Sequence, residues 1–174
     1  IIDEANKNLY DGVTEEDART SLVMTSRTLV EQEPNYTYVT ARILLDNIRT
    51  EALSYLGMQK KATQKEMEGL YPQALRNFLA KGVENEILNP ELLEMDIEKL
   101  GQAIDSSRDT EFTYLGLQTL YDRYFIHDTE IRYELPQVFF MRVSMGLALR
   151  EDNREDRAIE FYNLLSSFDY MSST

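Results

Sequence analysis

Thirty-one aspartates and glutamates, eleven tyrosines and one histidine are the residues of this sequence that could move protons, hold metals or carry electrons. No cysteine accompanies them, so thiolate metal sites, thiol nucleophiles and disulfides lie outside what the chain can build. The acids gather as Glu15-Glu16-Asp17, Glu84-Asn85-Glu86 and Glu151-Asp152. Each group sits beside a helix start or in a polar connection, where the helix dipole or water favours negative charge, and a solvated role outweighs a catalytic one. A carboxylate-bridged di-metal bundle needs Glu-x-x-His pairs on two helices, and the sequence has none. His127 falls in a turn between two expected strands, where a solvated residue outweighs a catalytic base. Gly-rich phosphate loops, nucleophile elbows and zinc spacings are absent. Tyr36, Tyr55, Tyr121 and Tyr162 stand at helical spacing, which favours core or half-core packing with the hydroxyl at the rim over radical transfer or ligand stacking. From spacing alone the chain has no self-sufficient active site, no catalytic residue and no metal site.

The elements that would position these residues are helical. With 18 basic against 31 acidic residues in 174, the formal net charge is −13, which excludes an electrostatically driven nucleic-acid binder. No apolar run approaches the roughly 20 residues needed to cross a bilayer, and no signal-peptide pattern opens the sequence, so a soluble, cytoplasmic protein is expected. Thr14 followed by Glu15-Glu16-Asp17 starts a helix that runs to about Gln32, and Tyr36 to Leu56 forms a second, closed by Gly57. These two read as an antiparallel helical hairpin. Thr63 with Glu66 starts another helix, which Gly69 to Pro72 should interrupt; a further helix then spans Pro72 to about Ala80, with Gly82 as its stop. Asn89-Pro90 and Asp96 mark short helical starts.

After Asp105-Ser106-Ser107-Arg108-Asp109 the pattern changes. Phe112, Leu115 and Leu120 read as one helix, and Tyr124-Phe125-Ile126 and Glu130 to Tyr133 as strands around a His127-Asp128-Thr129 turn. Pro136 opens an apolar helix through Val138, Phe139, Val143 and Leu147, and Asn153 caps a last one carrying Ala158, Ile159, Tyr162, Leu165 and Phe168. The expected fold is therefore mainly α, a helical N-terminal domain with one short β-hairpin at about 124–133. Its divisions are 1–57, a helical hairpin; 58–104, a helical connector; and 105–174.

The string Asp105-Ser-Ser-Arg108-Asp109-Thr-Glu-Phe112-Thr-Tyr114, continuing through Tyr121-Asp-Arg123-Tyr124-Phe125-Ile126, resembles the N-terminal domain of the large, catalytic subunit of ribonucleotide reductase. Glu134-Leu135-Pro136-Gln137, with Met141-Arg142-Val143 after it, is similar to the family's Glu-x-Pro-Gln and Met-Arg-Val signature. Phe161-Tyr162 through Phe168 to Met171-Ser172-Ser173-Thr174 resembles the stretch leading into the family's substrate-binding barrel. Upstream, Leu9-Tyr10-Asp11-Gly12-Val13 and Glu33-Pro34-Asn35-Tyr36 through Arg42 are similar to the helices before that domain, so that residues 1–57 resemble the end of an ATP-cone region.

The resemblance implies reduction of a ribonucleotide, the diphosphate, to its 2′-deoxy form by a cysteine thiyl radical, with the radical cysteine and redox pair in a barrel that this chain does not contain. It implies as partners the Cys-bearing remainder of the large subunit, a radical-generating small subunit and a ribonucleoside diphosphate, without nucleic acid or membrane. This chain itself would bind no cofactor; the assembled enzyme would use the small subunit's radical and nucleotide effectors. One site position carries over: in the family a Ser or Thr at the mouth of the barrel contacts substrate phosphates, and Thr174 falls there, with Ser173 sharing the role. The family's nucleotide-gripping turn is not found, so no complete activity site is expected. Ile1 is not an initiator Met and Thr174 halts within a motif, so both ends are expected to be cut. The alternative is a non-enzymatic helical interaction domain whose acidic faces recruit a basic partner.

Overall fold

A computed structural model describes residues 1–7 and 9–170. Among them are eight α-helices: α1 (Ile2–Asn6), α2 (Glu15–Thr28), α3 (Tyr36–Tyr55), α4 (Gln64–Glu84), α5 (Ile97–Gln102), α6 (Tyr114–Arg123), α7 (Pro136–Ala148) and α8 (Arg154–Ser166). One two-stranded antiparallel sheet, β1 (His127–Asp128) and β2 (Ile131–Arg132), lies between α6 and α7. The fold is mainly α, as the sequence leads one to expect.

The helix starts are local chemistry. Thr14 Oγ1 accepts from the Asp17 N–H at 3.1 Å while the Asp17 carboxylate accepts from the Thr14 N–H, and Thr63 with Glu66 makes the same reciprocal pair. Each box satisfies backbone donors that a helix end leaves without partners. Gly57 ends α3 in the left-handed conformation at φ 69°, with Met58 N–H returning to the Leu53 carbonyl. Arg19, early in α2, reaches Asp46 and Thr50, late in α3, so the two helices run antiparallel.

Several expectations need correction. Gly69 and Pro72 do not interrupt α4, which runs unbroken from Gln64 to Glu84. Proline there removes one backbone hydrogen bond, at a cost of about 3 kcal/mol. Met67, Tyr71, Leu75, Phe78 and Leu79 are fully buried on both sides of it, and that burial outweighs the loss. Gly82 is not a stop either: a Cβ there would lie 2.4 Å from the Leu88 Cδ1, so the glycine admits the returning chain, and Glu86 at φ 58° makes the turn.

The hairpin is shifted relative to the sequence reading. His127 and Asp128 are strand residues, paired with Arg132 and Ile131, and Thr129-Glu130 forms the loop, with Thr129 at φ 56°. Phe112 precedes α6 instead of starting it, because Thr113 takes the cap by accepting from the Gly116 N–H. Leu115 and Leu147, named among the apolar residues of their helices, are 72% and 62% exposed. Asn153 holds the N-cap position of α8 without a side-chain cap bond.

Buried apolar side chains from Val23 to Leu165 form one contiguous core, contributed to by α2 through α8. Gly101 of α5 lies against α4 so closely that a Cβ would stand 2.8 Å from the Pro72 Cα. Gly101→Ala should therefore destabilise the chain by about 1–3 kcal/mol in urea unfolding. Gly69→Ala, in open space on the same helix as Pro72, should stabilise it by about 0.5–1 kcal/mol. Equal midpoints for the two variants would contradict the close approach.

Candidate functional site

Asp105 caps a short 3-10 helix, Ser106–Thr110, by accepting from the Ser107 N–H, and this turn delivers Asp109 inward to 2% exposure. Four other elements converge on it. Arg49 of α3 donates to Asp109 Oδ2 at 2.7 Å, Tyr71 of α4 donates to the same oxygen at 2.7 Å, and Gln137 of α7 donates to Oδ1 at 3.0 Å. Tyr162 of α8 donates to Gln137 Oε1 at 2.9 Å and accepts from the Asp105 N–H at 3.0 Å. Gln64 accepts from Arg49 and donates to the Ser106 carbonyl.

Burial pushes the Asp109 carboxyl above its ordinary range, opposed by the Arg49 charge and the donated bonds. Burial also raises the Tyr71 hydroxyl well above its usual value, and pushes Tyr162 up to about 12. Every polar end of this cluster except Arg49 Nε has a protein partner, and no side chain of it stands ready to exchange a proton with a ligand. It is a structural hub. Tyr162 thus differs from the expectation: its hydroxyl lies in the interior, whereas Tyr36, Tyr55 and Tyr121 are half-buried.

A second clamp fixes the hairpin. Glu134, fully buried, accepts from Arg142 at 2.6 and 3.2 Å and from the Ile126 N–H at 2.9 Å. Burial raises its carboxyl, and Arg142 works against that rise. Glu51 of α3 accepts from the Tyr121 hydroxyl and the Arg132 N–H, both at 2.8 Å, and Tyr55 donates to Asp128 while stacking on Tyr133. His127 stays exposed with Nδ1 3.2 Å from the Thr129 carbonyl, a solvated residue as expected, though on a strand.

The acidic clusters do not converge. Asp17 belongs to its helix cap, Glu15 pairs with Arg19 and Lys61, which hold its carboxyl down at about 2, and Glu84 pairs with Lys81. Among the described residues no group of His, Asp or Glu is placed to hold a metal ion, and no helix is long and apolar enough to cross a membrane.

A groove of about 780 Å³ opens between α6 and α7. Phe112, Phe139, Phe140 and Phe168 give it an aromatic lining, and Glu111, Arg123 and Arg142 are its charged residues, Arg142 being paired with Glu134. Phe168 stands just beyond α8 at φ 62°. Ser173 and Thr174, the expected phosphate contacts, lie outside the described residues.

Residues 110–174 match the family model described as the ribonucleotide reductase all-alpha domain. The chain is 41% identical to the ribonucleoside-diphosphate reductase subunit alpha of Chlamydia muridarum, over 100% of its own length and 16% of the relative's. It is 30% identical to the subunit alpha of Helicobacter pylori, covering 98% of this chain and 20% of the relative. To the large subunit of Danio rerio it is 32% identical, covering 92% and 19%. The chain belongs to the ribonucleotide reductase large-subunit family, as its N-terminal all-alpha region. It spans between 16% and 20% of the length of these three relatives.

In this reductase region the motifs that carry the resemblance are structural. Asp109 and Gln137 are the hub, Glu134 and Arg142 the clamp, and Pro136 is the first residue of α7. Arg108 donates to Ser166 and Asn163 and lies over the Tyr162 ring, tying the 3-10 turn to the end of α8. Asp109 and Gln137 stand out in the sequence without anything to pair them, and Arg49 does not stand out at all. Its one signal was a lone cation among Leu45, Ile48 and Ala52 on the apolar face of α3.

Removing the hub's anion should show its weight. Asp109→Ala leaves the Arg49 charge buried and unpaired and should cost about 3–5 kcal/mol in urea unfolding. Asp109→Ala combined with Arg49→Met should recover part of that loss; a single variant as stable as the parent would refute the hub.

Proposed function

We propose that this chain serves as the N-terminal part of a ribonucleoside-diphosphate reductase large subunit, in reduction of ribonucleotides to deoxyribonucleotides for DNA-precursor synthesis. The observation that carries this reading is its 41% identity, over the whole chain, to a protein named for that activity. The chain has no cysteine, so a thiyl-radical reaction must run on residues elsewhere in the subunit. Its own part is to complete the subunit: the α6–α7 groove, with the exposed Leu115 in its lining, offers an apolar surface suited to burial against the Cys-bearing remainder. The radical comes from a small subunit, and nucleotide effectors act on the assembled enzyme.

Beyond α8 the chain continues to Ser173 and Thr174, whose hydroxyls contact the phosphates of the ribonucleoside diphosphate. Hydroxyl and backbone N–H groups suit that task in a chain of net charge −13, because they bind an anion without needing positive charge.

Mixing the chain with the Cys-bearing remainder and the small subunit should yield deoxyribonucleotide, and omitting the chain should abolish it. Product formation indifferent to the omission would overturn the reading. In the complete subunit, Thr174→Ala should weaken nucleotide binding by about 1.5–3 kcal/mol, the loss of one hydrogen bond to a charged group. Equilibrium binding at parental affinity would remove Thr174 from the site.

A further inference from the structure

Where one segment of this fold presses on a helix, the helix carries glycine: Gly82 of α4 admits Leu88, and Gly101 of α5 admits Pro72. Gly146 of α7 carries the same conformational cost relative to alanine, yet nothing lies within 4 Å of where its Cβ would stand. It follows Phe139, Arg142 and Val143 by seven, four and three positions, so it continues the face that those residues turn to the α6–α7 groove. Gly69 of α4, equally open, shares its face with the exposed Lys65, Gln73 and Arg76 instead.

The groove beside Gly146 has apolar surface and charge to offer. Leu115, in its lining, is 72% exposed, and apolar surface gathered around a hollow marks contact with another body. Arg142 is paired with Glu134, whereas Arg123, the exposed last residue of α6, makes no ion pair or hydrogen bond among the described residues. A carboxylate from outside would meet a cation there that nothing else engages.

Connectivity singles out the occupant, on the reading that this chain is the N-terminal part of a large subunit whose remainder follows Thr174. Six residues separate Phe168, in the groove lining, from Thr174, so the junction lies within about 22 Å of Phe168 whichever way they run. A body tethered that closely faces the groove at an effective concentration of about millimolar, in every molecule and at any dilution. We propose that the Cys-bearing remainder of the same subunit docks on the α6–α7 groove, its backbone closing on α7 at Gly146, its apolar side chains meeting the phenylalanine walls and one of its carboxylates pairing with Arg123.

Hydroxyl-radical footprinting of the full-length subunit tests the cover directly. Leu115 should be oxidised well below the rate of a leucine that is 72% exposed. Gly146→Ala forces a methyl into the contact and should raise Leu115 oxidation about tenfold, while Gly69→Ala leaves it at the parental rate. Arg123→Glu should raise it too, by setting like charges against each other, and Arg123→Lys should not. The thermal midpoint should fall for Gly146→Ala and rise for Gly69→Ala.

A parental subunit in which Leu115 reacts as a free leucine would overturn the inference. So would a Gly146→Ala midpoint that rises as that of Gly69→Ala does, or oxidation indifferent to Arg123→Glu. Protection that appears only as subunit concentration rises would give the groove to a second copy, and protection that appears only with the small subunit would give it to that chain; either result overturns docking within one subunit. Failure of the underlying reading looks different: deoxyribonucleotide would form without this chain, whereas failure of the docking inference leaves the chain required and Leu115 reactive.

Discussion

A buried carboxylate with three donors on it, Asp109, is what the mutual arrangement of α3, α4, α7 and α8 depends on. It gathers a cation from α3, a phenol from α4 and an amide from α7, and through that amide a second phenol from α8. Charge buried at 2% exposure is tolerable only when fully partnered, so the four helices must hold one mutual arrangement for the interaction to exist at all. Apolar packing alone tolerates small slides of one helix over another. A carboxylate whose three donors come from three different helices tolerates far less.

That constraint explains the division of labour within the chain. The N-terminal helices supply Arg49, Tyr71 and Glu51, all directed at the segment from Asp105 onward. The segment from 105 onward in turn carries the groove, the α8 terminus and the left-handed turn at Phe168. An acidic, cysteine-free helical body thus fixes the geometry of the groove between α6 and α7. What the described residues contribute is a support: they hold the apolar groove and the turn at Phe168 in a defined relation to the helices.

The same constraint accounts for the motifs. Glu134, Pro136, Gln137 and Arg142 could pass for a catalytic constellation in a bare sequence, since paired acids and arginines in a short span commonly serve chemistry. In the folded chain Glu134 and Arg142 neutralise each other beside the hairpin, Pro136 starts α7, and Gln137 bridges Asp109 to Tyr162. Their spacing is dictated by one helix start: Glu134 lies just before it, Gln137 in its first turn and Arg142 two turns on. The resemblance was therefore legible because the fold needs these residues, and their task was not, because it is settled by partners far away in sequence.

The sequence by itself determined the helix starts at Thr14 and Thr63, the end of α3 at Gly57, the mainly helical class and the family, because caps and apolar periods depend on residues within about four positions of each other. Only the tertiary structure decided that α4 crosses Pro72 unbroken, that Leu115 and Leu147 face outward, that Arg49 meets Asp109 and that Phe168 turns left-handed. Each of these is set by contacts between residues distant along the chain, such as the 60 positions separating Arg49 from Asp109. At Pro72 and Arg49 local preference was overruled by burial, which no window of neighbouring residues records.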